Sequence, residues 1–210
     1  MSLAMLLTLA DSRLPIGGHV HSGGVEEAIA SGLVRDVGSV QVYLLRRVRT
    51  SGLVAASLAA AVCAGELDPG RAEAEADART PAPAARIASR AQGRGLARLA
   101  KQVWPHRDWR ALGARPHLST VFGEIGREAG ATPEQIAGIV VYTTMTGAAT
   151  AAQRLLALDP AAVAACTVRL AEVCDLTAAE AVKGLAALSD PLQDVLAERH
   201  VGRDMPLFAS

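Results

Sequence analysis

Five times along this chain an acidic or hydroxyl side chain stands immediately before a proline: Asp68-Pro69, Thr80-Pro81, Thr132-Pro133, Asp159-Pro160 and Asp190-Pro191. Such a pair is a helix-start signal. The side-chain oxygen accepts a free N–H of the first turn, and proline fits the first helical position, where its missing N–H costs nothing. Alanine fills 43 of the 210 positions, and alanine gives up no side-chain entropy in a helix and lets helices approach closely. No sustained apolar/polar alternation competes for strands. The sequence therefore predicts an all-α single domain, residues 1–210, of nine to eleven helices with short connections around a long central one.

The remaining punctuation places the elements. Met1 to Ala10 and Val25 to Ser31 read as short helices, the second ended by Gly32. Asp36 or Ser39 caps a helix with Val37, Val40, Leu44 and Val48 on one face. Ser51-Gly52 breaks it before Leu53 to Ala64, and Gly65 supplies the left-handed stop. After Pro83 a helix carries Ile87, Ala91, Leu96, Leu99 and Val103 inward. Its Arg86, Arg90, Arg94 and Arg98 form a row spaced for pairing with Glu73, Glu75 and Asp77 or for a partner. Trp104 to Pro116 reads as a loop holding Trp109 and His106, and Leu118 to Ala129 resumes helix. Thr132-Pro133-Glu134-Gln135 is a capping box opening the central helix, and Thr177-Ala178-Ala179-Glu180 reads as another.

Lys+Arg and Asp+Glu both number 21, which argues against a nucleic-acid binder and for association. The one basic cluster, Arg46-Arg47-Val48-Arg49, reads as a solvated helix end. Cys63, Cys166 and Cys174 form no CxxC pair and read as buried small hydrophobes in a reducing compartment. Cys166 and Cys174, eight apart, fall on one helical face. The N-terminus lacks a basic leader and Asp11 interrupts its apolar run, which predicts a cytoplasmic protein. Ile136 to Leu158 is apolar enough to raise a membrane span, but Gln153, Arg154 and four threonines read as a core helix, so no membrane is expected.

One stretch does not fit a scaffold of helices. Residues 11–24, Asp11-Ser12-Arg13-Leu14-Pro15-Ile16-Gly17-Gly18-His19-Val20-His21-Ser22-Gly23-Gly24, concentrate four glycines and two histidines before Val25-Glu26. A loop so rich in glycine is either a functional surface or a specially shaped turn. It lacks the lysine of a phosphate cradle, and the chain has no nucleophile elbow and no HExxH. His19 and His21 could chelate a nickel or copper ion weakly, though two ligands leave a site open. Loop histidines bonded to backbone are the simpler reading. At the other end, residues 202–210 break the helical pattern with Pro206 and carry apolar Leu207 and Phe208, which either tuck into the core or meet a partner.

Taken in order, these segments resemble a known family. Asp11-Ser12-x-Leu14-Pro15-x-Gly17-Gly18 followed by His21-Ser22-x-Gly24-Val25-Glu26 resembles the N-terminal signature of the urease accessory protein F family. Arg90-x-x-Gly93-Arg94, Pro116 with Val121-Phe122-Gly123, Ala152-Gln153-Arg154-Leu155 and the terminal Leu207-Phe208-Ala209-Ser210 are similar to its later motifs. The resemblance implies an all-α, dimeric, non-enzymatic chaperone. It would bind the D/H accessory protein, recruit the G-protein GTPase and deliver nickel to apo-urease, holding no firm cofactor itself. It further implies partner-binding roles for Ser12, Pro15, Gly17, Ser22, Gly24, Glu26, Arg90, Arg94, Arg154, Leu207, Phe208 and Ser210. The chain departs from the family at His19-Val20-His21, at Val25, at Thr80-Pro81-Ala82-Pro83, and at Pro206 and Ala209, where arginines are common. Two other classes stay open on residues alone: a metal-dependent enzyme using the His19/His21 loop, and a helical ligand-binding regulator.

Overall fold

The computed structural model describes residues 1–14, 16, 21–188, 190–202 and 207–208. Four of the five cap–proline pairs start helices as the sequence predicts. Asp68, Thr132, Asp159 and Asp190 each accept backbone N–H groups of the first turn, opening α5 (Pro69–Ala78), α8 (Pro133–Leu155), α9 (Pro160–Arg169) and α11 (Pro191–Val201). Asp36 closes a capping box with Ser39 ahead of α3 (Val37–Arg47), and Thr132 closes the other with Gln135. The remaining segments are α1 (Leu3–Leu9), α2 (Val25–Ala30), α4 (Leu53–Ala64), α6 (Pro83–Val103), α7 (Leu118–Glu128) and α10 (Ala171–Ala181). Among the described residues all regular elements are helical, and they form one all-α domain.

The core is built on α4 and α8, which pack against each other and jointly touch most other helices. α4 buries residues on every side, Val54, Ala56, Leu58, Ala60, Val62 and Cys63 among them, the pattern of a fully interior helix. It can be enclosed because its neighbours come close. On α7, a Cβ added at Gly123 would sit 2.5 Å from Val62 Cβ and 2.7 Å from the Ala59 carbonyl oxygen. Phe122, Ile125, Ile136 and Met145 fill the space around this crossing.

Several expectations need correction. Thr80-Pro81 starts no helix; α6 begins at Pro83 after extended Ala82, and the Thr80 carbonyl instead accepts from Arg86. Thr177 is not a cap. It lies inside α10, and its hydroxyl bonds back to the Val173 carbonyl at 2.7 Å, a use of threonine that leaves a helix running. Ser51-Gly52 does not break the chain either. Val48–Gly52 forms a π turn that joins α3 to α4 in one 28-residue run, Val37–Ala64. That run, rather than the Ile136 to Leu158 segment, is the described helix long and apolar enough to cross a membrane, and half of its most apolar window is buried inside the fold. On α6, Ile87 and Val103 face solvent, and Ala84, Gly93, Leu96, Ala97 and Ala100 make the inward face. The Trp104–Pro116 connection contains a 3-10 turn, Arg110–Leu112, and buries Trp109. All three cysteines are buried thiols, but Cys166 and Cys174 sit on different helices, α9 and α10.

Candidate functional site

Glu26, in the first turn of α2, is the hub that holds Leu207 and Phe208. Gly24, in the left-handed conformation at φ 83°, precedes α2, and a tight turn of Ser22–Val25 delivers Glu26 into the first turn, where a carboxylate complements the helix dipole. There it is 5% exposed. Its Oε1 accepts the Leu207 amide at 2.8 Å, and its Oε2 accepts the Phe208 amide at 3.0 Å and lies 2.8 Å from His200 Nε2. Burial pushes the Glu26 carboxyl up, but the bonds from His200 and the two amides outweigh that and hold it below the ordinary glutamate range. Three donors on one buried carboxylate satisfy a charge that would otherwise be costly to desolvate.

The carboxylate thus seats Leu207 and Phe208. Phe208 is buried and belongs to the main apolar core, and the Arg154 guanidinium at the end of α8 lies 5.2 Å from its ring centroid, within cation–π range. Leu207 turns the other way and is 79% exposed. Glu26, Arg154, Leu207 and Phe208 come from three separate motifs, and the fold brings them together. His200 completes the arrangement and was not legible in sequence, since 174 residues separate it from Glu26.

Behind α2 a second network holds the loop's exit. Tyr43 and Arg47 both donate to the Gly23 carbonyl, at 2.7 and 2.8 Å. Arg46 binds Asp190 through two nitrogens, so the cap of α11 is also an ion-pair partner. Burial raises the Asp190 carboxyl, yet Arg46 and the first-turn amides bring it below its usual value. Arg46 and Arg49 remain exposed, as a solvated helix end requires, while Arg47 turns inward to Gly23 and Gln193.

The arginine row divides. Arg90 bonds Glu73 at 2.7 Å and Asp77 at 2.8 Å. Both acids also hold His117, buried before α7, through its backbone N–H and Nε2. Arg86 pairs with Asp77, while Glu75 turns to Arg71 and Arg79. Arg94 and Arg98 are exposed. Ser12 lies in an exposed turn; Ser22 is buried with its hydroxyl unpartnered. Pro15, Gly17, His19 and Ser210 lie outside the described residues. His21 is half-buried, and no group of three His, Cys, Asp or Glu suited to a metal occurs among the described residues.

Known proteins match this sequence along its full length. A family model described as UreF matches residues 34–171. Urease accessory protein UreF of Mycobacterium sp. (strain JLS) is 67% identical over 209 residues, and that of Mycolicibacterium vanbaalenii 66% over 212. The Mycobacterium marinum protein of the same name is 64% identical over 209 residues. Each alignment covers 100% of this chain and 99% of the relative. By motif order, helical architecture and full-length identity, the chain belongs to the UreF family of urease accessory proteins.

Proposed function

We propose that this protein is a non-catalytic scaffold for urease maturation in the cytoplasm. In this reading it works as a homodimer, binds the D/H accessory protein, and recruits the G-protein GTPase whose nucleotide hydrolysis accompanies nickel insertion into apo-urease. Nickel is cargo of the assembly, and His19 and His21 form no tight nickel site. The observation that carries the proposal is the seating of the C-terminal segment. Glu26 and Arg154 hold Phe208 and leave the apolar Leu207 side chain presented outward. An exposed leucine held in place by a buried carboxylate is a preorganised contact, which lowers the ordering cost of binding. Exposed Arg94 extends the same role on α6. Deleting residues 205–210 leaves a folded dimer that no longer captures the D/H protein; unchanged capture overturns the tail's role. Nickel titration of the isolated chain gives no submicromolar site, and tight binding abolished by changing His19 and His21 to alanine contradicts the assignment.

A further inference from the structure

A cleft of about 250 Å³ opens between the π turn, α4, α8 and the start of α11. Its walls are mostly apolar, Val54, Leu58 and Val140 among them, with Thr143, Thr144, Arg79 and Asp194 also on the lining. At one end stand Arg47, Ser51 and Gln193. Gln193 is 8% exposed. Its Oε1 is used twice, accepting from Arg47 Nη1 at 3.2 Å and from Ser51 Oγ at 3.1 Å, while its Nε2 has no partner. Arg47 Nε is likewise buried and unpartnered, and the groups Arg47 does bind, the Gly23 carbonyl and Gln193, are neutral.

Two unused N–H donors thus lie buried beside the cleft, one on a cation whose charge is not matched by a bonded carboxylate. Buried donors left unpaired cost free energy, and a site that keeps them is built for an acceptor. The acids nearby do not supply it. Asp190 is taken up by Arg46, and Asp194, on the α11 wall, accepts from the Ala82 amide. A metal cation suits this end poorly, because the free groups are donors and one of them is positive. The volume lies below that of drug-sized pockets.

We propose that this cleft binds a small carboxylate with a short apolar chain, its head on Arg47 Nε and Gln193 Nε2 and its chain along Val54, Leu58 and Val140. The site is separate from the Glu26 seat and requires nothing of the maturation role.

The test is calorimetric titration of the full chain with hexanoate, hexan-1-ol and acetate. Hexanoate binds saturably in the millimolar range. The alcohol, lacking the charge, and acetate, lacking the chain, each bind at least about tenfold more weakly, the scale of one charge-assisted hydrogen bond or a few buried methylenes. Gln193→Glu keeps the acceptor for Arg47 and Ser51 but replaces the donor with an anionic oxygen. It keeps the thermal unfolding midpoint and loses hexanoate binding by about tenfold or more. If that variant unfolds, Gln193→Met removes the donor, together with the acceptor for Arg47 and Ser51, without adding charge, and weakens hexanoate but not hexan-1-ol. Equal binding of alcohol and carboxylate overturns the proposal, as does hexanoate binding that survives in Gln193→Glu. The absence of any saturable hexanoate binding also overturns it, leaving water on the two donors.

Discussion

Replacing Gly93 by alanine pits two opposed effects of known size against each other. Gly93 is on the inward face of α6, where the turn preceding α7 crosses it. A Cβ there would overlap the Pro116 carbonyl oxygen and lie 2.9 Å from the His117 carbonyl carbon and 3.0 Å from the Leu118 nitrogen. All three obstructing atoms are backbone, so no side chain can swing aside. Nor can the turn retreat freely, because His117 is held by Glu73, by Ser89 at 2.9 Å and by Asp77 at 3.0 Å. Alanine gains about 1 kcal/mol of helix propensity over glycine. Overpacking against fixed atoms costs about 1–3 kcal/mol or more, and this site belongs at the upper end. The expected net loss is about 2 kcal/mol, read as a lower midpoint in urea at unchanged slope. Gly138 on α8 is the matched control: a Cβ there meets nothing within 4 Å, so Gly138→Ala stabilises by about 0.5–1 kcal/mol. A Gly93→Ala protein as stable as the parent would refute the close-approach argument.

Other outcomes follow from the same structure. Glu26→Gln removes the charge that three donors share, so the Leu207 and Phe208 amides lose hydrogen-exchange protection while α4 and α8 keep theirs; retained protection at both amides contradicts the seat. The Glu26 carboxyl is held below its ordinary value, so its stabilisation is complete above the unfolded pKa of about 4.3 and disappears as pH falls through the lower folded value. Tail protection should accordingly survive at neutral pH and vanish in acid before the core unfolds, with His200, Arg199 and Glu27 as the titratable neighbours. Burial pushes the Cys174 thiol up to about 11 and raises Cys63 and Cys166 as well. All three should react with a thiol reagent near pH 8 far more slowly than in denatured protein, and a thiol reacting at the unfolded rate would show that its helix opens.

The helix starts were legible because their chemistry is local. Asp68, Asp159 and Asp190 need only their own first turn, and proline beside them removes the competing conformations. Thr80 carries the same local signal and fails, since Pro83 disfavours the helical conformation at the preceding Ala82, which is extended, and Arg86 claims the Thr80 carbonyl. Thr177 misleads because a hydroxyl can serve a carbonyl four residues back as well as an amide ahead. On α6 the apolar spacing places Leu96 and Leu99 correctly against the core, but Ile87 and Val103 lie outside because glycine and alanine, small enough for backbone contact, make the rest of the inward face. In the site, motif order singled out Glu26, Arg154, Leu207 and Phe208 individually. Their meeting at one point, and the contribution of His200, depend on tertiary contacts that no local pattern encodes.

Reconstitution of urease activation tests the central claim most directly. Apo-urease, the D/H protein, the GTPase, GTP and nickel are combined with and without this chain, and urease activity and bound nickel are measured. The scaffold reading predicts little activation without the chain, restoration on adding it, and no restoration by the form lacking residues 205–210. Equal activation in its absence would contradict the account.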